Sequence, residues 1–248
     1  MRLLLGIALV ALTALAYLGA RERNQRPGAA ALELSPEQEV ALGLQSTPAL
    51  AEELGGLDPD PAIQHTAQEV GDRLVTLSAA ETSPYLFDFR VLADTRTVNA
   101  FALPGGPIFI TRALYSRLAN EAELAGVLAH EIVHVVERHS AQQLARAALS
   151  PGGAVPEDFA YERGDELAAD ALGVEMMSAA GYDPRALIGV MRILEPSGSD
   201  SGRHGFARTH PDPGDRAARI GQAIDRRFPH GVASDLTTGR DLRVAGPS

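Results

Sequence analysis

The stretch Leu124–Gln142, LAGVLAHEIVHVVERHSAQ, constrains the fold more than any other part of the chain. It sets three histidines and two glutamates inside an otherwise apolar run that reads as one helix. A helix that is hydrophobic on all sides belongs in a core. Titratable groups in a core are costly unless they are paired or hold something. His130, Glu131, His134 and His139 therefore need partners. Asn120 as N-cap and Glu123 at the reciprocal capping-box position mark the start of this helix. The pattern carries it to about Ala148, which makes it the longest helix expected.

His130 and His134 are four residues apart, so on a helix they stand one turn apart on one face, and their imidazoles can meet at a metal. Glu131 is rotated by one position and lies beside the open coordination site. In this arrangement, H-E-x-x-H, the glutamate handles the proton of a zinc-bound water. A catalytic zinc takes three protein ligands, so a third donor is required. On a continuous helix His139 falls on the face opposite His130. It is read as a residue that packs around the ligands or bonds to them. The better donor lies in YERGDELAADALG, where Glu166 and Asp170 are again four apart on the next long helix. Glu166 is taken as the ligand, and Asp170 as the acceptor that fixes a ligand imidazole. Glu162 and Asp165 are nearby alternatives.

The chain has 248 residues and 45% hydrophobic content, enough for one substantial domain. Its formal net charge of −10, with no contiguous basic cluster, argues against nucleic acid as a partner. Cysteine is absent, which excludes disulfides, thiolate nucleophiles and thiolate-bound metal. Residues 1–20 carry an uncharged run from Leu3 to Ala20, long enough to span a hydrocarbon core. Ala14 and Ala16 also offer a cleavage site, so both a removed signal peptide and a retained membrane anchor stay open. The expected location is outside the cytoplasm, periplasmic or membrane-anchored, although Arg21, Arg23 and Arg26 after the segment outnumber Arg2 before it, which weakens that assignment. The expected organisation is this segment, a linker over 21–34, a domain over 35–228 and a loosely held tail over 229–248.

Within the domain, Ser35, Pro36 and Gln38 open a helix, and a second runs from "LDPDP" to about Ser78. YLFDFRVLAD and NAFALPGGPIFITR then change to a period of two and read as strands of a small sheet. Further helices are expected from Phe159 to Ala180, from Asp183 to Leu194 and from Gly214 to Arg227. The fold class is α+β, a mainly helical domain with its small sheet beside the H-E-x-x-H helix.

The blocks NAFALPGGPIFITRALYSRL, NEAELAGVLAHEIVHVVERHS, ELAADALGVEMMSAAGYDP and RTHPDPGDRAARI resemble, in this order, the HtpX and BepA type of zinc metallopeptidase, whose family includes the CAAX prenyl endopeptidases. The resemblance covers roughly Asp60 to Ile220. It implies a zincin-type fold with a gluzincin site: His130, His134 and Glu166 on one zinc per chain, Glu131 as general base, and His210 able to approach the metal or the oxyanion. The family's usual Glu-x-Glu-Ala-Asp is altered here to Glu166, Ala168, Ala169 and Asp170, with the first and last acids kept. The reaction implied is peptide-bond hydrolysis in the processing or quality control of envelope proteins, with a protein or peptide as substrate. The alternative is a chaperone-like or scaffolding protein of the same fold. Tyr161 is a second candidate oxyanion donor. Gly106, Pro107, Ile108, Phe109 and Ile110 are expected to offer an edge strand to the substrate. The polar loop Ser197–Gly205, with His210 just beyond it, is a candidate lid or plug.

Overall fold

Ser35 opens the first helix as its spacing predicts: the hydroxyl accepts from Gln38 N, and the Gln38 side chain accepts from the Ser35 N–H. A computed structural model describes residues 34–148, 160–194, 205–210 and 213–243. The expectations for residues 1–20, most of the linker and the polar loop before Gly205 lie outside these. Among the described residues no helix is long and apolar enough to cross a membrane.

The architecture is α+β and mainly helical. Helix α1 (Pro36–Glu53) and helix α2 (Pro61–Thr76) precede strands β1 (Asp88–Leu92), β2 (Ala100–Ala102) and β3 (Pro107–Thr111). Helices α3 (Arg112–Tyr115), α4 (Glu121–Val136), α5 (His139–Ala148), α6 (Arg163–Ala179), α7 (Ala186–Leu194), α8 (Phe206–Thr209) and α9 (Pro213–Arg227) follow. The strand order is β1-β3-β2, with β1 parallel and β2 antiparallel to β3. The outer edge of β1 is closed by side chains and by a single main-chain bridge, Leu57 to Leu92, instead of a fourth strand. Gln68 Oε1 accepts from Phe89 N (3.1 Å), while Gln64 accepts from Val91 N (3.0 Å) and donates to Val91 O (2.8 Å). These two glutamines on α2 satisfy peptide groups that would otherwise form an open edge.

The turn between β2 and β3 needs glycine: Gly105 has φ 82°, and a Cβ there would come within 2.3 Å of the Val40 backbone. That close approach seats α1 on the sheet.

Helix α4 is the centre of the domain. Nearly every residue from Glu121 to Val135 is buried, and it packs against α2, α6, α7 and β2. The fully buried Leu124, Leu128 and Ile132 stabilise the fold by roughly 1.5–3 kcal/mol each.

Two expectations need correction. The helix predicted to run on to Ala148 ends at Val136, because Arg138 adopts φ 62° and α5 starts afresh at His139. The apolar periodicity continues through the break, so the pattern cannot reveal it. The tail expected to be loose is bonded to the domain as far as Leu242. Thr238 O and Arg240 O accept from Ala122 N and Glu121 N at the start of α4, and Thr237 bridges to Gly181 and Asp183. These bonds are made by main-chain carbonyls, which composition does not report.

Candidate metal centre

Three elements converge under the sheet. From α4, the His130 and His134 rings meet edge to face with Nε2 atoms 3.0 Å apart. From α6, Glu166 brings its carboxylate to 3.5 Å from His130 Nε2 and 3.4 Å from His134 Nε2. From the end of α8, His210 points Nδ1 to 3.3 Å from His130 Nε2 and 2.9 Å from Glu166 Oε1. All four side chains are buried, and their donor atoms lie within 4.8 Å of one another.

The outer nitrogens are also fixed. His130 Nδ1 faces Asp170 Oδ1 at 3.1 Å, and His134 Nδ1 meets His139 Nδ1 at 3.1 Å, with Asp165 Oδ1 3.5 Å from the far side of His139. A proton on each Nδ1 leaves each Nε2 lone pair facing the cluster centre. Tyr161 stacks on His134 at 3.7 Å and Phe206 on His210 at 4.0 Å, so an aromatic plane supports each ring. Tyr161 N donates to Thr209 O (2.9 Å), which ties the segment before α6 to α8.

Arg216 of α9 lies beneath the cluster, fully buried. Its Nε and one terminal nitrogen donate to the two oxygens of Asp170 at 2.8 and 2.7 Å. Its other terminal nitrogen is 2.6 Å from Glu166 Oε2, though out of line for a hydrogen bond. Burial would raise the Asp170 carboxyl, but the Arg216 fork and His130 hold it below the ordinary range. Burial likewise works against ionised Glu166, and the His210 and His130 rings outweigh it, taking its pKa well down. Burial lowers His134, which keeps that imidazole neutral. Burial pushes the Glu131 carboxyl up. Neither Glu131 oxygen has a hydrogen-bond partner, and the nearest ring nitrogen, His210 Nε2, lies 3.4 Å away.

These groups suit a divalent cation. A tetrahedral ion bound through nitrogen and oxygen separates its donors by about 3.3 Å, given bond lengths of about 2.0–2.1 Å. Five of the six pairwise separations, 2.9–3.5 Å, bracket that value, and all four donors lie within 4.8 Å of one another. Glu166 and Asp170 face one guanidinium and the Glu131 carboxyl lies beside the cluster, so with the imidazoles neutral, as metal ligation requires, the buried acids outnumber the guanidinium and a dication would offset them.

The sequence profile of peptidase family M48 matches residues 61–152 and 154–224. The chain belongs to peptidase family M48. This M48 chain is 29% identical over 205 residues to the β-barrel assembly-enhancing protease of Yersinia pestis, covering 71% of the chain and 42% of that protein. It is 27% identical over 205 residues to the protein of that name in Escherichia coli strain K12, covering 71% and 42%. It is also 32% identical over 168 residues to the mitochondrial metalloendopeptidase OMA1 of Schizosaccharomyces pombe, covering 60% and 49%. The M48 chain thus spans less than half the length of these relatives.

Of the residues singled out in the sequence, His130, Glu131, His134, His139, Glu166, Asp170 and His210 all come together. Gly106, Pro107, Ile108, Phe109 and Ile110 do not behave as expected. All five are buried, and β3 is the middle strand, paired on both sides, so it has no edge to offer a peptide. Strand order depends on long-range pairing, which local alternation does not encode. Sequence reasoning missed Arg216. A signal was present: Arg216, Ile220, Ala223 and Ile224 share the buried stripe of α9, and a charge on such a stripe implies a buried partner.

Proposed function

We propose that the chain is a zinc-dependent endopeptidase, with His130, His134 and Glu166 as metal ligands and Glu131 as general base. The observation that carries this reading is Glu131, a fully buried carboxylate with both oxygens unpartnered beside a cluster of metal donors. A site holding metal for structure alone would gain nothing from that group. Zinc, when bound, acidifies its water and polarises the scissile carbonyl. Glu131 is placed to accept the proton of the attacking water and deliver it to the departing amine. Asp170 and His139 hold the ligand imidazoles in the tautomer that faces the metal. His210 is placed either to support the developing oxyanion or to occupy the position that water needs, and it must move aside in the second case.

We infer that β2 is the substrate strand in place of β3: its residues are buried too, but it is an outer strand of the sheet. Leu103 N donates to Pro107 O and Thr111 N to Asn99 O, so the peptide groups of Ala100 and Ala102 face away from β3. That edge lies against α4, and Phe206 N donates to Val98 O at its start. An extended protein segment adding here would pass the His210 end of α8. The name of the Yersinia pestis relative, a β-barrel assembly-enhancing protease, together with the apolar segment Leu3–Ala20, supports action on envelope proteins, from an exported or membrane-anchored position.

Metal content and casein hydrolysis, measured before and after chelation, test the proposal. One zinc per chain and chelator-sensitive cleavage are expected, with Glu131→Gln keeping the zinc and losing cleavage. Cleavage that persists in Glu131→Gln would remove Glu131 from the role of base.

A further inference from the structure

Arg138 is the only non-glycine residue with positive φ among the described residues; the other such positions are all glycine. At 62° it sits in the left-handed region, which a side chain disfavours and which persists only where surrounding contacts hold it. Those contacts come from α1 and from Leu34 just before it. Arg138 Nε donates to Glu39 Oε1 at 2.9 Å, a terminal nitrogen lies 2.7 Å from the same oxygen, and that nitrogen also donates to Leu34 O. Glu39 is fully buried. The Tyr85 hydroxyl beside it is pushed up to about 12 by burial and by the Glu39 carboxylate.

The residue so held governs where the next one goes. Arg138 N closes α4 on Val135 O, and Arg138 O accepts from Gln142 N to open α5. On an unbroken helix His139, five residues after His134, would be rotated about 140° from it around the axis. The left-handed residue folds the chain back instead. The two Nδ1 atoms come to 3.1 Å, and Ser140 Oγ donates to His134 O at 3.4 Å.

We propose that Arg138, clamped by Glu39 of α1, is a positioning residue of the metal centre, acting through His139 on the outer nitrogen of His134. This rests on the zinc reading above. It adds that the helix entering the domain from residue 34 is coupled to a metal ligand through one guanidinium.

The test compares Arg138→Ala, Arg138→Gly, His139→Ala and Arg138→Ala/His139→Ala in the full chain. Two readouts are used: zinc affinity by competition with a chelator, and ring 15N signals of His134 and His139 in zinc-free protein. Arg138→Ala loses the clamp and keeps a Cβ that resists positive φ. It is expected to weaken zinc binding about 10-fold, the scale for loss of a group that orients a ligand, and to average the ring signals. Arg138→Gly tolerates the kink and should recover most of the affinity. His139→Ala should match Arg138→Ala, and the double variant should be no worse than either. A full further loss in the double variant, or ring signals and affinity unmoved by Arg138→Ala, overturns the proposal. If Arg138→Ala does not fold, Glu39→Gln weakens the clamp with residue 138 intact; a smaller shift of the same sign supports the proposal and an unchanged affinity overturns it. The ring signals need no zinc, so a wild type that binds none would sink the zinc reading while the signals still judged the contact.

Discussion

His210 Nδ1 stands 2.9 Å from Glu166 Oε1 and 3.3 Å from His130 Nε2, on the cluster and not beside it. A cation held by His130, His134 and Glu166 would have the His210 ring within reach. The ring is fixed there by stacking on Phe206 and by the His210 N–H bonding to Phe206 O at 2.8 Å.

His210→Ala should therefore vacate a donor position and admit water. With cobalt replacing zinc, the visible spectrum of the variant should acquire a pH-dependent component from bound water that the wild type lacks or shows weakly. Identical spectra across pH would place His210 off the metal.

Arg216 pairs with Asp170 and Glu166 in full burial, so removing it strands two carboxylates. Arg216→Ala is expected to destabilise the metal-free protein by about 3–5 kcal/mol, the usual result of breaking one side of a buried ion pair. Urea unfolding monitored by circular dichroism measures it. A loss below about 1 kcal/mol, the range of an exposed pair, would mean that water reaches the site.

Asp170 supplies a pH dependence. Burial alone would raise its pKa, and Arg216 and His130 together depress it. A depressed folded pKa gives stability that is complete above the ordinary aspartate value and is lost as pH falls through the lower folded one. The unfolding midpoint of zinc-free protein should thus decline on the acid side of the ordinary aspartate range. Asp170→Asn should start from a lower midpoint and decline less steeply. Parallel acid limbs in the two proteins would assign the decline to other groups.

The tail is expected to matter for α4. Truncation after Phe228 removes the carbonyls of Thr238 and Arg240 that cap Ala122 N and Glu121 N respectively, and the Arg240 side chain that pairs with Glu121. A cap of this kind contributes about 1–2 kcal/mol, equivalent to about 3–6 °C in a domain of this size. Differential scanning calorimetry checks it, and an unchanged midpoint would return the tail to a passive role.

Much of the centre was legible in the chain because a helix repeats every 3.6 residues. Four-residue spacing alone aligned His130 with His134 and Glu166 with Asp170, and the apolar run around the first pair required burial. Caps read equally well: Ser35 and Asn120 each accept the bond their position predicts, since a cap is settled within four residues. His139 was legible in kind but not in path. It was placed across the helix, and it reaches His134 only because Arg138 breaks α4.

The sequence by itself determined that two helices would each carry a pair of donors, and that the donors would be buried, because those facts follow from local periodicity and hydropathy. Tertiary structure alone decided that β3 lies between β1 and β2, that Arg216 enters beneath Glu166 and Asp170, that Arg138 is held left-handed by a glutamate 99 residues earlier, and that the tail caps α4. Each of these joins groups far apart along the chain. Their partners are chosen by packing and by the need to satisfy buried polar atoms, and no local repeat records that choice.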